Sequence, residues 1–307
     1  MIAEGYFLRQ LVNGLELGSL YALVALGYTL IYGILELLNF AHGDVFMVGA
    51  FLAAGVAATL VHNEIAAIPG GFVVVLMLLV AMGGAGVLGV AIERVAYRPL
   101  RNANRLAPLI TAIGVSLFLE NAVFVWVSPA PVLVPTNALV SQGVIQAGSV
   151  ATPLTGLTLF GGSLALMIAL DLFVFRTRFG SAMRATAQDR EAATFMGIDV
   201  DRVIMVTFFL ASALAGLGGV LFGLRYASVD FFMGYGLGIK AFTAAVIGGI
   251  GNIRGAMVGG LLLGVLESLS GGFISTQFQD TFVFLALIAV LLLRPQGLLG
   301  QPVMDRA

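Results

Sequence analysis

Charged side chains are scarce in this chain of 307 residues: Asp, Glu, Lys and Arg make up 10% of it, against 60% hydrophobic residues. A soluble domain carries about 25% charged and about 45–50% apolar residues. With a mean hydropathy of +1.05, the chain has too few polar side chains to cover a water-facing surface. The composition excludes a soluble enzyme, and also a disordered chain, which requires low hydrophobicity and high charge. It indicates a protein whose solvent is the lipid bilayer.

Cysteine is absent and lysine occurs once, and each of these facts excludes a class of chemistry. Without cysteine there are no disulfides, thiolate metal sites or cysteine nucleophiles. The single lysine, Lys240, is followed by Ala241, so the Gly-Lys-Ser/Thr of a phosphate-binding loop is missing. Two histidines leave little for a metal centre, and a net charge of −1 excludes a basic surface for nucleic acid. We expect no catalytic residues, no metal site and no cofactor bound by this chain.

Glycine, by contrast, is abundant, with 40 residues, and small residues let membrane helices approach one another closely. Eight apolar runs approach or exceed the roughly 17–25 residues that cross a bilayer. The runs lie at about 10–35, 45–61, 72–92, 107–127, 159–175, 203–224, 256–270 and 280–293. A further stretch, 238–251, is shorter and is interpreted as a half-helix, a steeply inserted segment or a short ninth pass. The sequence predicts an all-α polytopic membrane protein of eight or nine passes, with one transmembrane domain over residues 1–307.

The placement of arginine predicts the orientation, because short cytoplasmic loops carry the excess of positive charge. Four of the fifteen basic residues lie between 94 and 105 and five between 176 and 202. Residues 128–159 contain no charged side chain. The two arginine-rich segments should be cytoplasmic and 128–159 external. Counting outward places the N-terminus outside, and nine passes would leave the C-terminal arginines inside.

The segment 176–202 is unusual for a loop, since nine of its residues are charged. Its centre is predicted to be one short amphipathic helix ending at Gly197, because glycine tolerates the left-handed conformation of a C-cap. The apolar flank of this helix would hold Met183, Ala187, Ala192, Phe195 and Met196. It is either a solvated connection between two spans or a helix that docks into a cytoplasmic partner. A plain connection needs only a few residues, so the length favours docking.

Several motifs carry a resemblance to a known family. EAATFMG at 191–197 resembles the Glu-Ala-Ala motif in the cytoplasmic loop of ABC importer permeases. The surrounding segments are LGYTLIYGILELLNFAHGD at 26–44, ERVAYRPLR at 93–101, RATAQDREAATFMGIDVDRV at 184–203, KAFTAAVIGGIGNIRGAMVGG at 240–260 and RPQGLLG at 294–300. Together, from about residue 10 to 300, they resemble the LivH-type permeases of branched-chain amino acid ABC transporters.

The resemblance implies a permease subunit in the bacterial inner membrane that imports Leu, Ile or Val. Its partners would be a LivM-type second permease, two cytoplasmic ATPases similar to LivG and LivF that bind ATP and Mg, and a periplasmic or lipid-anchored substrate-binding protein. The segment 176–202 would be the coupling loop. Its coupling residues would be Arg184, Asp189, Arg190, Glu191, Ala192, Ala193, Gly197, Asp199 and Arg202. Alternatives are the same machine carrying urea, short-chain amides or other amino acids, and a gradient-driven secondary transporter.

Polar residues within or beside the spans are candidates for the substrate path, because ionisable groups in the membrane are costly and mark functional sites. The candidates are Asn39, His42, Asp44, Glu120, Asn121, Gly249, Gly251 and Glu267. For four of these residues a purely structural role is the alternative. Asp44 is placed to cap a helix, and His42 to hydrogen-bond within a turn. The alternative for Glu120 and Glu267 is helix packing with a satisfied carboxylate.

Two spacing patterns of small residues and one interrupted helix make the predicted substrate path more specific. Gly114 and Asn121 share a face, and so do Gly260, Gly264 and Glu267, which predicts small, polar stripes directed toward the bundle. Gly251, Gly255 and Gly259 extend the second pattern in small-xxx-small steps. The glycine-rich segment 238–255 is expected to be a broken helix whose free N–H groups hold the substrate carboxylate, with the turn 39–44 second. Asp171 is expected to pair with Arg176 or Arg178.

Overall fold

A computed structural model describes residues 2–62, 69–101, 103–104, 106–140, 143–147 and 150–300. The described helices are α1 Ile2–Leu35, α2 His42–His62, α3 Gly70–Ile92, α4 Leu106–Trp126, α5 Thr136–Leu139, α6 Leu154–Arg176, α7 Arg178–Gln188, α8 Arg190–Phe195, α9 Val200–Tyr226, α10 Met233–Gly248, α11 Ile253–Phe273 and α12 Gln279–Leu293. Eight of them are long and apolar enough to cross a membrane, α12 together with the 3-10 turn Thr276–Phe278 that precedes it, and α10 is a shorter apolar helix. The predicted fold class is confirmed, with a span in each of the eight predicted runs.

The centre of the bundle is α1, in which every residue from 18 to 31 is buried. It packs chiefly on α11, with further contacts to α9 and α10. Glycines make the α1–α11 approach possible: Gly18 lies against the backbone of Gly260, and Gly264 lies against Gly14 and Gly18. The predicted stripe that includes Gly260 and Gly264 therefore does face the bundle.

The packing of α1–α4 is repeated in α9–α12. Helix α1 packs on α11 as α9 packs on α3. Helix α2 contacts α9 and the following helix α3, as α10 contacts α1 and the following helix α11. The first helices of the two halves are antiparallel, since Glu16 lies beside Arg225 while Gly27 lies beside Ala211. This is the inverted arrangement that many transporters share.

The chain turns back into the bundle between α1 and α2. Helix α1 ends at Leu35, and Glu36 has a φ of +55°, a conformation that non-glycine residues rarely adopt. The ring of His42, the first residue of α2, then lies against Gly27. Gly27 is eight residues before the end of α1, a rise of about 12 Å. We call residues 36–41 the re-entrant segment.

Helices α2 and α10 begin close to each other. Gly43 at the start of α2 lies against Gly234 and Gly238 in the first turns of α10. The N-termini of α2 and α10 therefore meet inside the bundle.

The two arginine-rich segments lie at one end of the molecule. Arg98 and Arg101, in the 3-10 turn Arg98–Leu100 and just after it, both pair with Asp201 at the start of α9. The last described segment, 294–300, is at this end too: the N–H of Leu298 donates to the carbonyl of Ile247, and Gly251 lies against Gly33 near the end of α1.

The uncharged segment 128–159 lies at the other end, as expected. Strand β1 Val132–Leu133 pairs antiparallel with β4 Ser228–Val229, which follows the far end of α9. Strands β2 Val144–Ala147 and β3 Val150–Pro153 form a hairpin. Within the described part of this segment, these strands pair the backbone of residues 132–133, 144–147 and 150–153.

Candidate functional site

The predicted coupling segment forms two helices rather than one. Asp189, in extended conformation, separates α7 from α8. The predicted common apolar flank is wrong: Met183 of α7 is buried, whereas Ala187 and Ala192 are exposed. The break changes the direction of the chain, so residues before and after it cannot share one helical face.

Both ends of α8 are closed by specific hydrogen bonds. The Asp189 carboxylate accepts from the N–H of Ala192 at 3.0 Å, which makes Asp189 the N-cap. At the other end, Gly197 has a φ of +81°, its N–H binds the carbonyl of Thr194, and the N–H of Ile198 binds that of Ala193. This pair of bonds is a Schellman motif, in which glycine avoids the strain of the left-handed conformation. The predicted C-cap at Gly197 is thus present.

Arg190 joins α8 to the central helix. Its guanidinium donates a 2.7 Å hydrogen bond to the carbonyl of Ile34, in the last turn of α1. A cavity of about 380 Å³ lies beside this bond, lined by Glu36, Arg101 and residues 186–190. Partial burial lowers the pKa of the Arg190 guanidinium, and the nearby Glu36 carboxylate opposes that shift. The guanidinium bond anchors α8 where α1 has carbonyls without helical partners.

The outer side of α8 presents an apolar pair. Phe195 is 89% exposed and Met196 is 83% exposed, while Ala193 is buried against the protein. Glu191 and Ala192 are exposed beside them. Large apolar side chains exposed outside the spans indicate a surface that a partner covers.

The remaining predicted coupling residues hold neighbouring helix ends. Arg184 donates to the carbonyl of Val174, near the end of α6. Asp199 caps α9 by accepting from the N–H of Arg202, whose side chain is exposed. Asp201, which joins the two arginine-rich segments, was not among the predicted coupling residues. The sequence feature that could have identified Asp201 is its position, an acidic residue in the first turn of a span that follows a basic loop.

The residues of the re-entrant segment and its neighbours are deeply buried. Asn39 is 2% exposed and accepts a 3.0 Å hydrogen bond from the hydroxyl of Tyr97, which is itself fully buried. The ring of His42, fully buried, contacts that of Tyr28 edge to face, with centroids 4.8 Å apart. Tertiary contacts with Tyr97 and Tyr28, rather than the turn itself, therefore hold these side chains.

Asp44 does not cap α2, contrary to the sequence-based interpretation. It is the third residue of that helix, is 1% exposed and lies against Gly234 of α10. Its Oδ1 atom has no hydrogen-bond partner among the described residues, and the Ser116 hydroxyl of α4 lies beside the carboxylate. The Oδ1 atom lies beside the first turn of α10 without accepting a hydrogen bond from the N–H groups of that turn.

Glu120 faces the bundle, whereas its neighbour does not. Glu120 is 8% exposed and lines a cavity of about 320 Å³ with Tyr28 and Ser116. Asn121 is exposed and donates to the carbonyl of Leu117 in its own helix, and Gly114 has open space around it. The predicted polar stripe of Gly114 and Asn121 is therefore directed away from the bundle of this chain.

Glu267 belongs to a network of charges. Its Oε2 accepts from the hydroxyl of Tyr21 at 2.8 Å, and its Oε1 lies 2.7 Å from Nζ of Lys240. Lys240 also lies 2.8 Å from Oδ1 of Asp280. The network links α1, α10, α11 and α12, so it supports the structural interpretation of Glu267.

The turn between α10 and α11 is held by glycine packing and by a helix cap. Gly249 has a φ of +107° and lies against Gly297 and Gly300. Asn252 caps α11 by accepting from the N–H of Gly255, and Gly251 is exposed in the turn. Residues 294–300 pack on the turn, since the N–H groups of Leu298 and Leu299 donate to the carbonyls of Ile247 and Gly248. The carboxylate site predicted for 238–255 stays a prediction. Gly251 is absent from the α10–α11 packing that Gly255 and Gly259 form with Gly248.

The ion pair predicted for Asp171 is wrong. Asp171 pairs with Arg254 of α11 at 2.9 Å, rather than with Arg176 or Arg178. The described residues contain no group of three His, Asp or Glu that could hold a metal ion.

Comparison with known proteins places the chain in a family. The profile of the family described as "Branched-chain amino acid transport system / permease component" matches residues 10–291. The high-affinity branched-chain amino acid transport system permease protein BraD of Pseudomonas aeruginosa is 43% identical over 98% of both chains. LivH of Escherichia coli, of the same description, is 42% identical over 98% of both. A probable LivH of Methanocaldococcus jannaschii is 29% identical over 92% of this chain and 89% of that protein.

These relatives are transport permeases of nearly the same length. The described residues of this chain include eight helices able to cross a membrane. It is a multi-pass protein of the inner membrane. The chain belongs to the family of permease components of branched-chain amino acid transport systems.

Proposed function

We propose that this chain is the membrane-spanning subunit of an ABC importer of Leu, Ile and Val, and that α8 couples it to an ATPase. The family and the names of its relatives support the substrate. The observation that carries the coupling is that Phe195 and Met196 are exposed on a helix whose other side is tied to α1 by Arg190.

The energy would come from partner subunits. The single lysine of the chain is held within α10 by Glu267 and Asp280, outside any glycine-rich loop. Two cytoplasmic ATPases would bind ATP and Mg, and a LivM-type permease would complete the membrane part. A substrate-binding protein would deliver the amino acid at the end that carries the β2–β3 hairpin.

Coupling would work through the helix ends. When the ATPases close on ATP, a groove that holds Phe195 and Met196 would move α8. Arg190 would transmit this movement to Ile34 and so to α1, which contacts α9, α10 and α11. A movement of the most buried helix displaces both halves of the inverted repeat, as alternating access requires.

The test is reconstitution of the complete transporter in liposomes with its binding protein and labelled leucine. We expect uptake that requires ATP, is abolished by vanadate and is insensitive to a protonophore. Uptake that a protonophore abolishes and vanadate does not would establish a secondary transporter instead. Uptake of labelled urea or acetamide in place of leucine would assign the machine to the alternative cargo.

A further inference from the structure

A cavity of about 320 Å³ lies between α1, α4 and α10, beside the point where the N-termini of α2 and α10 meet. We call it the α4–α10 cavity. Its walls are largely apolar, with Phe40, Ile113, Leu117 and Ile239 among the lining residues. Its size is in the range of small-molecule sites, about 300–1,000 Å³.

One wall carries a carboxylate that the protein does not satisfy. Glu120 is 8% exposed, lines the cavity, and its Oε1 has no hydrogen-bond partner among the described residues. No salt bridge reaches Glu120 within the described part of the chain. A buried carboxylate without a partner is costly, so a cationic ligand in the cavity would relieve that cost.

Another part of the lining is the start of a helix. Gly234 and Tyr235, in the first turn of α10, line the same cavity. Phe232 at the N-cap position provides no side-chain hydrogen bond to this turn. The first N–H groups of a helix have no helical acceptor and favour an anion.

We propose that the α4–α10 cavity binds the zwitterionic head of an aliphatic amino acid, with its ammonium at Glu120 and its carboxylate at the first turn of α10. The aliphatic side chain would pack against Ile113 and Leu117. This inference rests on the proposed function and assigns its substrate site. It places the substrate carboxylate at the N-terminal end of α10, whereas the sequence-based prediction placed it in the segment 238–255.

Binding can be measured without transport, because the chain contains no cysteine and a single one can be introduced. In the purified transporter, Ser116→Cys would be labelled with N-ethylmaleimide, and leucine should slow the labelling at least about fivefold. Two half-molecules serve as probes: 4-methylpentanoate lacks the ammonium, and 3-methylbutylamine lacks the carboxylate. Each should protect more weakly than leucine. Asn121→Cys, on the outward face of α4, should show no protection.

The charge of Glu120 is tested in the same cysteine variant. Adding Glu120→Gln should remove the protection by leucine, while Glu120→Asp should retain part of it. Leucine uptake should fall about tenfold or more in Glu120→Gln, as expected for loss of a charge-assisted hydrogen bond. Asn121→Ala should transport normally. Melting temperatures of the purified complexes identify any variant that fails to fold.

The outcomes separate the two proposals. Protection by leucine without ATP-dependent uptake would overturn the proposed function and leave the cavity assignment standing. Normal uptake with no protection of Ser116→Cys, or equal protection with Gln at position 120, would overturn the assignment and leave the function standing. Stronger protection by 3-methylbutylamine than by leucine would show that the carboxylate is not bound there.

Discussion

The guanidinium of Arg190 donates a 2.7 Å hydrogen bond to the carbonyl of Ile34, 156 residues earlier in the chain. It joins the helix that carries the exposed apolar pair to the last turn of the most buried helix. A charged donor at a helix C-terminus is also favoured by the helix dipole. The bond therefore anchors α8 to the end of α1.

Removing this link should uncouple ATP hydrolysis from transport. In Arg190→Ala we expect the ATPases to copurify while leucine uptake per ATP falls about fivefold or more, the scale of typical coupling energies. Arg190→Lys should be intermediate, since lysine keeps the charge and loses the planar fork. Arg178→Ala, an exposed arginine at the start of α7, is the matched control. Unchanged uptake per ATP in Arg190→Ala would exclude the link.

The exposed pair on α8 should be needed for assembly and not for folding. Because Phe195 and Met196 are 89% and 83% exposed, Phe195→Ser with Met196→Ser should leave the permease yield and melting temperature unchanged. Copurification of the ATPases should be lost. Leu299→Ser, an exposed apolar residue at the same end, serves as the control. Undiminished ATPase binding by the double variant would place the docking surface elsewhere.

The Asp189 cap should order α8. Replacing an N-cap aspartate by alanine costs about 1 kcal/mol, so amides of residues 190–197 should exchange with deuterium about fivefold faster in Asp189→Ala. Asp189→Asn can still accept the hydrogen bond from Ala192 and should exchange like the wild type. Equal exchange in all three proteins would mean that packing of Ala193 alone orders the helix.

The α1–α11 contact should not tolerate a methyl group. A Cβ at Gly264 would collide with the backbone of Gly18, so Gly264→Ala should destabilise the protein by about 1–3 kcal/mol. Gly114→Ala, in a helix with open space around that position, should be neutral or stabilising by about 0.5–1 kcal/mol. Thermal unfolding in detergent measures both. A similar loss in the two variants would show that the cause is not the close approach.

The Lys240 network should show strong coupling between its members. Lys240→Met leaves the carboxylate of Glu267, 5% exposed, without its cation, which should destabilise the protein by about 3 kcal/mol. Glu267→Gln in the same chain should restore part of that loss, because the buried charge is then removed. Additive losses in the double variant would show that the two side chains do not interact in the membrane.

The one-dimensional features of this protein follow from its sequence. Runs of apolar residues predicted each of the eight long helices, because a bilayer requires a minimum length and admits few charges. The uneven distribution of arginine predicted which loops share an end. Gly197 was predictable as a C-cap, since few other residues adopt a φ of +81° there without strain.

Which side of each helix faces the bundle was less predictable, as Asn121 illustrates. In water, a helix reveals its buried face by an apolar stripe on a polar background. In a bilayer, the face toward lipid and the face toward other helices are both apolar, so that contrast disappears. Asn121 was therefore assigned to the wrong side of α4, and Asp171 to the nearest arginines in sequence rather than to Arg254.

The sequence by itself determined the solvent, the spans, the charged end and the family, since each depends on composition or on order along the chain. The tertiary structure alone decided that residues 36–41 return into the bundle and that α2 and α10 begin at one point. It alone brought Glu120 to the same cavity as the first turn of α10. Gly43 and Glu120 are each more than a hundred positions from Gly234, so their proximity depends on tertiary packing, as of Gly43 against the backbone of Gly234.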